Sequence, residues 1–205
     1  QCRFSYTPDS RVIEIADTLR YKRIPCDAIW MDIDYMDGYR IFTFNPQGFP
    51  DPKAVNRDLH LRGFHSVWMI DPGAKAETGY SVYDSGTAND VWVKTVDGKE
   101  YNGDAWPGKV AWPDFTDPKV CQWWGGLYKD FMAQGVDGVW NDVNEPQVSN
   151  TPTGTMPEDN LHRGGNGIPA GTHLQYHNVY GFLMVKSSRE GMLAAQPKKR
   201  PFILT

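Results

Sequence analysis

Residues 27–35, "DAIWMDIDY", form a mostly apolar run with acidic residues gathered at its end. This is the pattern of a strand covered on both faces that delivers polar side chains at its C-terminal edge. The shape recurs along the chain. "GFHSVWMIDPG" (63–73) reaches Asp71, "GVDGVWNDVNEP" (135–146) reaches Asp142, and "KKRPFILT" (198–205) runs to the last residue. An amphipathic segment precedes each of the four. Val12, Ile15, Ala16 and Leu19 share a helical face in residues 10–25, Val55, Leu59 and Leu61 in residues 51–63, and Val120, Trp123, Trp124, Leu127 and Phe131 in residues 117–135. A fourth helix is expected over 172–193, and "DP" openings with glycine closings supply starts and stops.

Strands alternating with helices predict a parallel α/β architecture of five strands, counting "QCRFSY" (1–6), and four crossovers. An open doubly wound sheet and a truncated (β/α)₈ TIM barrel both fit. No glycine-rich phosphate loop follows any strand, which removes support from nucleotide-binding open sheets. Acids at several strand ends are what a barrel needs, because its chemistry is built on that face. The segments 72–112 and 147–172, rich in Gly, Pro, Asn and Thr, are expected as long βα loops over the same face.

A net charge of −4 without a basic stripe gives no footing for nucleic acid, and a neutral or polar substrate fits better. Trp, present eight times, recurs near acids or prolines in "IWMDID", "DAWPG", "VAWPDF" and "VWNDVNEP", a bias that suits both a buried core and stacking on sugar faces. Cys2, Cys26 and Cys121 have no metal-ligand spacing, and the five His residues form no paired metal motif, so neither metal nor cofactor is expected. No apolar run is long enough to span a membrane. The chain lacks an initiator Met and both begins and ends in strand-like stretches, as expected of a piece of a longer protein.

Two acidic groups stand out. Asp32, Asp34 and Asp37 in "DIDYMDG" resemble a calcium loop, but Met36 and Asp37 occupy the positions that an EF-hand reserves for an oxygen ligand and for glycine. On a strand, Asp32 and Asp34 share a face and Ile33 takes the other. An interior carboxylate needs a ligand or a partner, and Arg40 is a candidate partner. In "WNDVNEP", Asp142 is nearer the apolar run and so deeper, while Glu145 belongs to the turn before Pro146. By spacing the two could be the nucleophile and acid of a retaining glycosidase, or acids that cap the next segment.

"QCRFSY", "IPCDAIWMDIDYMDGYRIFTFNPQGFPDP", "HSVWMIDPG", "AWPGKVAWPDFTDP", "GVWNDVNEP", "TMPEDNLHRG", "HNVYG" and "RPFILT", in this order across all 205 residues, resemble glycoside hydrolase family 31, the α-glucosidase family. The resemblance implies that residues 1–205 are the N-terminal part of a (β/α)₈ catalytic barrel, with about five of eight strands present and the flanking β-domains absent. It implies a retaining α-glucosidase acting on terminal non-reducing α-linked glucose of oligosaccharides. α-Xylosidase and α-glucosyltransferase are alternatives within the family, and a non-catalytic sugar-binding fragment is an alternative outside it. Asp142 matches the nucleophile of the family's W-x-D-x-N-E signature and Glu145 its supporting acid. Asp32, with Ile33 beside it, matches the strand acid that binds glucose hydroxyls. Asp71 lies in a pocket-lining segment, and Phe4, Trp106 and Trp140 stand where the family places aromatic walls. Donors such as Asn141 or backbone N–H groups are expected to hold Asp142 ionised. Val143 replaces a common Met. The family's general acid/base matches a segment beyond Thr205, so these residues by themselves are expected to be inactive, with the remainder of the parent chain as their partner.

Overall fold

The computed structural model describes residue 3, residues 5–149 and residues 151–205. Helices α1 (Asp9–Tyr21), α2 (Pro52–Leu61), α3 (Ser81–Ala88), α4 (Pro118–Met132) and α5 (His173–Ala195) are interspersed with strands. These are β1 (Ala28–Met31), β2 (His65–Ile70), β3 (Ala74–Lys75), β4 (Asn102–Ala105), β5 (Gly108–Ala111), β6 (Gly138–Asn141), β7 (Leu161–His162), β8 (Gly171–Thr172) and β9 (Phe202–Leu204). Strands β1, β2, β6 and β9, in that order, make one sheet in which every pairing is parallel. The fold is therefore α/β, a partial (β/α)₈ barrel wall. Of the expected first strand, Gln1, Cys2 and Phe4 lie outside the described residues, and Ser5 and Tyr6 carry no strand.

Local chemistry explains the helix starts. Asp51 accepts a hydrogen bond from the Ala54 N–H (2.9 Å) ahead of Pro52, and Asp117 accepts one from the Lys119 N–H (2.9 Å) ahead of Pro118. In both cases a carboxylate satisfies an orphan donor and proline takes a first-turn position whose N–H has no partner to lose. A Thr172–Gln175 capping box opens α5. Leu61, expected on the apolar face of α2, is instead 78% exposed.

The pleat sorts the sheet's side chains between two faces. Trp68 points to the helix layer, where its indole N–H donates to Asn56 Oδ1 of α2 (3.0 Å) and its ring meets Tyr35, Phe44 and Phe49 at centroid distances of 4.8, 5.4 and 5.7 Å. Burying such a ring removes 150–250 Å² from water, roughly 4–6 kcal/mol at 25 cal/mol per Å². Ile29, Met31, Ile70 and Val139 share this face and are buried. On the other face Trp30 of β1 meets Phe202 of β9 edge-on at 5.7 Å. In a flat sheet these strands would lie about 14 Å apart, three strand spacings. The ring contact therefore shows the sheet curling as a barrel wall does. Outside it, α4 and α5 cross backbone to backbone. A Cβ on Gly191 would sit 2.5 Å from the Gly125 Cα, so only glycine fits.

The segment 72–112 is more ordered than the long loop expected from composition. It contains α3 and an antiparallel sheet in the order β3, β5, β4. Residues 147–172 contribute the antiparallel pair β7 and β8.

Candidate active site

Asp32, Asp71 and Asp142 are each the first residue past a parallel strand: β1, β2 and β6. The register Ile70↔Asn141 puts Asp71 beside Asp142, one strand spacing of about 4.8 Å away. The register Met31↔Trp68 puts Asp32 level with Met69, two residues below Asp71. Pleat parity then sends all three carboxylates to the inner face, together with Trp30, Met69 and Trp140. Parallel pairing thus gathers acids that lie 110 residues apart in sequence.

Asp71 is 8% exposed, and its Oδ1 has no hydrogen-bond partner among the described residues. Burial, followed by the charges of Asp142, Asp32 and Glu145, pushes its pKa well above the usual carboxylate range. Asp32 is half-buried and also raised. Burial is the main cause, the Ile33 N–H donated to Oδ1 at 2.8 Å opposes it, and Asp34 and Asp142 add repulsion while Arg3 offsets part of it. Burial likewise raises Asp34, whose Oδ2 is buried without a partner among the described residues.

Two expectations for this region change. The strand ends at Met31, and Asp32 caps a short 3₁₀ helix at Ile33–Tyr35, so strand alternation does not govern Asp34. Ile33 is 4% exposed and packs in the core, and what it offers Asp32 is its backbone N–H. Arg40 is not the partner of Asp32 or Asp34. It reaches Glu77 at 2.6 Å and Asp37 at 3.4 Å.

Asp142 is half-buried and opens the turn that carries Glu145, which is exposed. Asn141 does not support the Asp142 carboxylate through its amide. Its Nδ2 donates to the Ile70 carbonyl (3.2 Å), on the opposite face. Val143 adopts the left-handed region, φ +46°, which is unfavourable for a β-branched residue and marks stored strain next to Asp142. Contacts on three sides hold the turn. The Gln147 N–H donates to the Val143 carbonyl (2.9 Å), Asn144 Nδ2 to Thr205 Oγ1 (2.7 Å), and Thr155 Oγ1 to the Pro146 carbonyl (2.8 Å). Gly181 of α5 lets the turn dock, since a Cβ there would stand 3.0 Å from the Asn144 carbonyl. This accounts for the glycine of "HNVYG".

Of the aromatic residues, Trp140 is half-buried on β6 and shares the face of Asp142. Trp106 tips the β4–β5 hairpin, 57% exposed, and joins Asp71, Trp112, Val143 and Gln147 around a cavity of about 220 Å³. Phe4 lies outside the described residues. The structure thus brings together Asp32, Asp71, Asp142 and Glu145 electrostatically and lines their edge with Trp106. Among the described residues, no group of three His, Cys, Asp or Glu side chains is placed to hold a metal ion, and no helix is long and apolar enough to cross a membrane.

Sequence patterns gave no sign of a second polar cluster. Asp114, His162 and His173 are 0–1% exposed and hydrogen-bonded in series. Each lies in a different segment, so only tertiary contacts unite them.

The family model described as "Glycosyl hydrolases family 31 TIM-barrel domain" matches residues 1–205. "Alpha-glucosidase 2" of Bacillus thermoamyloliquefaciens is 44% identical over 205 residues, covering 100% of this chain and 26% of that protein. "Neutral alpha-glucosidase AB" of Sus scrofa is 36% identical over 209 residues, covering 100% and 22%. The solved structure of a family 31 alpha-glucosidase from Bacteroides thetaiotaomicron aligns with TM-score 0.83 at 73% identity, covering 100% of this chain and 32% of that one. The chain therefore spans between a fifth and a third of the length of these relatives. With acids at the ends of adjacent parallel strands and a match over its whole length, the chain belongs to glycoside hydrolase family 31, within the family's TIM-barrel domain.

Proposed function

We propose that this chain is the N-terminal part of the catalytic barrel of a retaining α-glucosidase that releases terminal non-reducing α-linked glucose from oligosaccharides. One observation carries the reading: Asp32, Asp71 and Asp142 leave neighbouring parallel strands on one face, with an Asp71 oxygen that has no partner among the described residues. Buried acceptors without donors are built for a ligand rich in hydroxyls, which supplies the missing hydrogen bonds. The names of the relatives, α-glucosidases from bacterial and animal sources, support the reaction class.

In this reading Asp142 attacks the anomeric carbon through an oxocarbenium-like transition state, forming a covalent β-glucosyl ester that water hydrolyses with net retention. Asp32 and Asp71 accept hydrogen bonds from the sugar hydroxyls. Trp140 and Trp106 form the apolar walls, and Glu145 holds the turn's field negative without donating the proton. The proton donor belongs to a part of the parent chain outside these residues, so the 205 residues by themselves are expected to be inactive. The test is product analysis by the full-length protein on maltose, isomaltose and an α-xyloside, with the anomer followed by NMR at early times. Release of α-glucose is expected. Release of β-glucose would exclude retention, and preference for the xyloside would exclude glucosidase specificity.

A further inference from the structure

The buried cluster behind the Asp142 turn is continuous. His162 Nδ1 lies 2.9 Å from Asp114 Oδ1, His162 Nε2 lies 3.2 Å from His173 Nδ1, His173 Nε2 lies 3.1 Å from Thr155 Oγ1, and Thr155 Oγ1 lies 2.8 Å from the Pro146 carbonyl. It begins at a carboxylate 0% exposed and ends on the turn that carries Asp142 and Glu145. We propose that Asp114, His162, His173 and Thr155 form a hydrogen-bonded relay that positions this turn, and that the relay holds one proton more than two neutral imidazoles and a hydroxyl supply. The positioning role rests on the assignment of Asp142 as nucleophile made above.

The proton count follows from the contacts. Four hydrogen bonds in series need four protons, whereas two neutral imidazoles and one hydroxyl bring three. In its contact with His162 Asp114 is the acceptor, because three further donors already favour its ionised form. Its Oδ1 accepts from Thr116 Oγ1 (2.6 Å) and the Thr116 N–H (3.2 Å), and its Oδ2 from the Arg163 N–H (2.7 Å). The fourth proton therefore belongs to an imidazole, and His162 is the one that faces the carboxylate. His162 then donates both ways, to Asp114 and to His173, and beyond it every donor points toward the turn: His173 to Thr155, and Thr155 to the Pro146 carbonyl. Arg163, His177, Tyr176 and Tyr180 are the other charged or titratable groups around the pair. Of these, the His177 ring stands edge-on to His173 at 5.4 Å, and Tyr176 edge-on to His162 at 5.6 Å.

Electrostatics agree with the count. Burial alone would raise Asp114, but the His162 hydrogen bond and charge, the Arg163 N–H and Thr116 together hold it below the usual carboxylate range. Burial first, then the charges of His162 and His177, push His173 down to about 3, which leaves it the neutral member.

The test uses the full-length protein. Thr155→Val removes the hydroxyl that joins relay and turn, and kcat is expected to fall roughly tenfold or more with KM within about twofold, as for a displaced nucleophile. Thr155→Ser is expected to restore kcat. Hydrogen exchange of the peptide spanning 143–149 is expected to quicken about tenfold in Thr155→Val and not in Thr155→Ser. Unchanged kcat and unchanged exchange, even with a lowered melting temperature, would overturn the proposal. Absence of any glycosidase activity would sink the functional reading and leave exchange to judge the relay. Should Thr155→Val not fold, ¹³Cε1-histidine NMR of the wild type decides. One imidazolium and one neutral ring in the buried pair are expected at neutral pH, and two neutral rings would break the relay.

Discussion

Asp71 and Asp114 are both shut away from water, 8% and 0% exposed, yet their surroundings have opposite character. Asp71 faces three other acids and leaves one oxygen without a partner among the described residues. Asp114 gathers donors from Thr116, His162 and Arg163 on both oxygens. Burial therefore raises the pKa of the first and is overcome in the second. A carboxylate satisfied by its own chain holds structure together, while one left unsatisfied at a strand end awaits something from outside.

Four substitutions in the full-length protein probe that contrast. Asp142→Asn on the open side removes the nucleophile, and turnover is expected to drop on the order of 10⁴-fold or more with the circular dichroism spectrum unchanged. Ordinary activity would take Asp142 out of the reaction. Asp114→Asn on the satisfied side deprives buried His162 of its counterion and should cost about 3–5 kcal/mol in denaturant titration. A cost below about 1 kcal/mol would mean that the relay carries little of the fold.

Asp71→Asn should act in the opposite sense, raising stability at neutral pH while weakening sugar binding. The sign follows from the raised pKa. The folded state keeps a proton that the unfolded chain releases near 3.8, so the wild type loses stability as pH rises from there through the folded value, and the asparagine does not. Melting temperatures across pH check it, and a destabilised variant would erase the distinction between the two aspartates. Smallest in stability is Trp106→Ala. At 57% exposure it should change stability by no more than about 0.5 kcal/mol, while KM rises severalfold.

The same contrast marks what the sequence made legible. Asp71 and Asp142 follow apolar runs that must be strands, so their place on one edge of a parallel sheet could be foreseen from local pattern. Asp34 could not, because the Asp32 side chain captures the Ile33 N–H and turns the chain into a 3₁₀ helix at once. Arg40 was a plausible local partner for those acids until Glu77, 37 residues on, took its guanidinium. The ordered excursion at 72–112 rests on strands of two to four residues and a helix with Ser and Gly inside it, too short and too mixed for periodicity to show. The relay left no trace because its members occur at 114, 155, 162 and 173 with no repeat or spacing rule, and only folding makes them neighbours.

Val143, held at φ +46° directly after Asp142, bears on how this protein can vary. Glycine there would relieve that conformation but give back roughly 0.4–1 kcal/mol in the chain entropy it loses on folding, so little net stability is to be gained. It would also slacken the joint between strand and turn on which the neighbouring carboxylate depends. A β-branched side chain in that place keeps the joint stiff at little net cost to the fold.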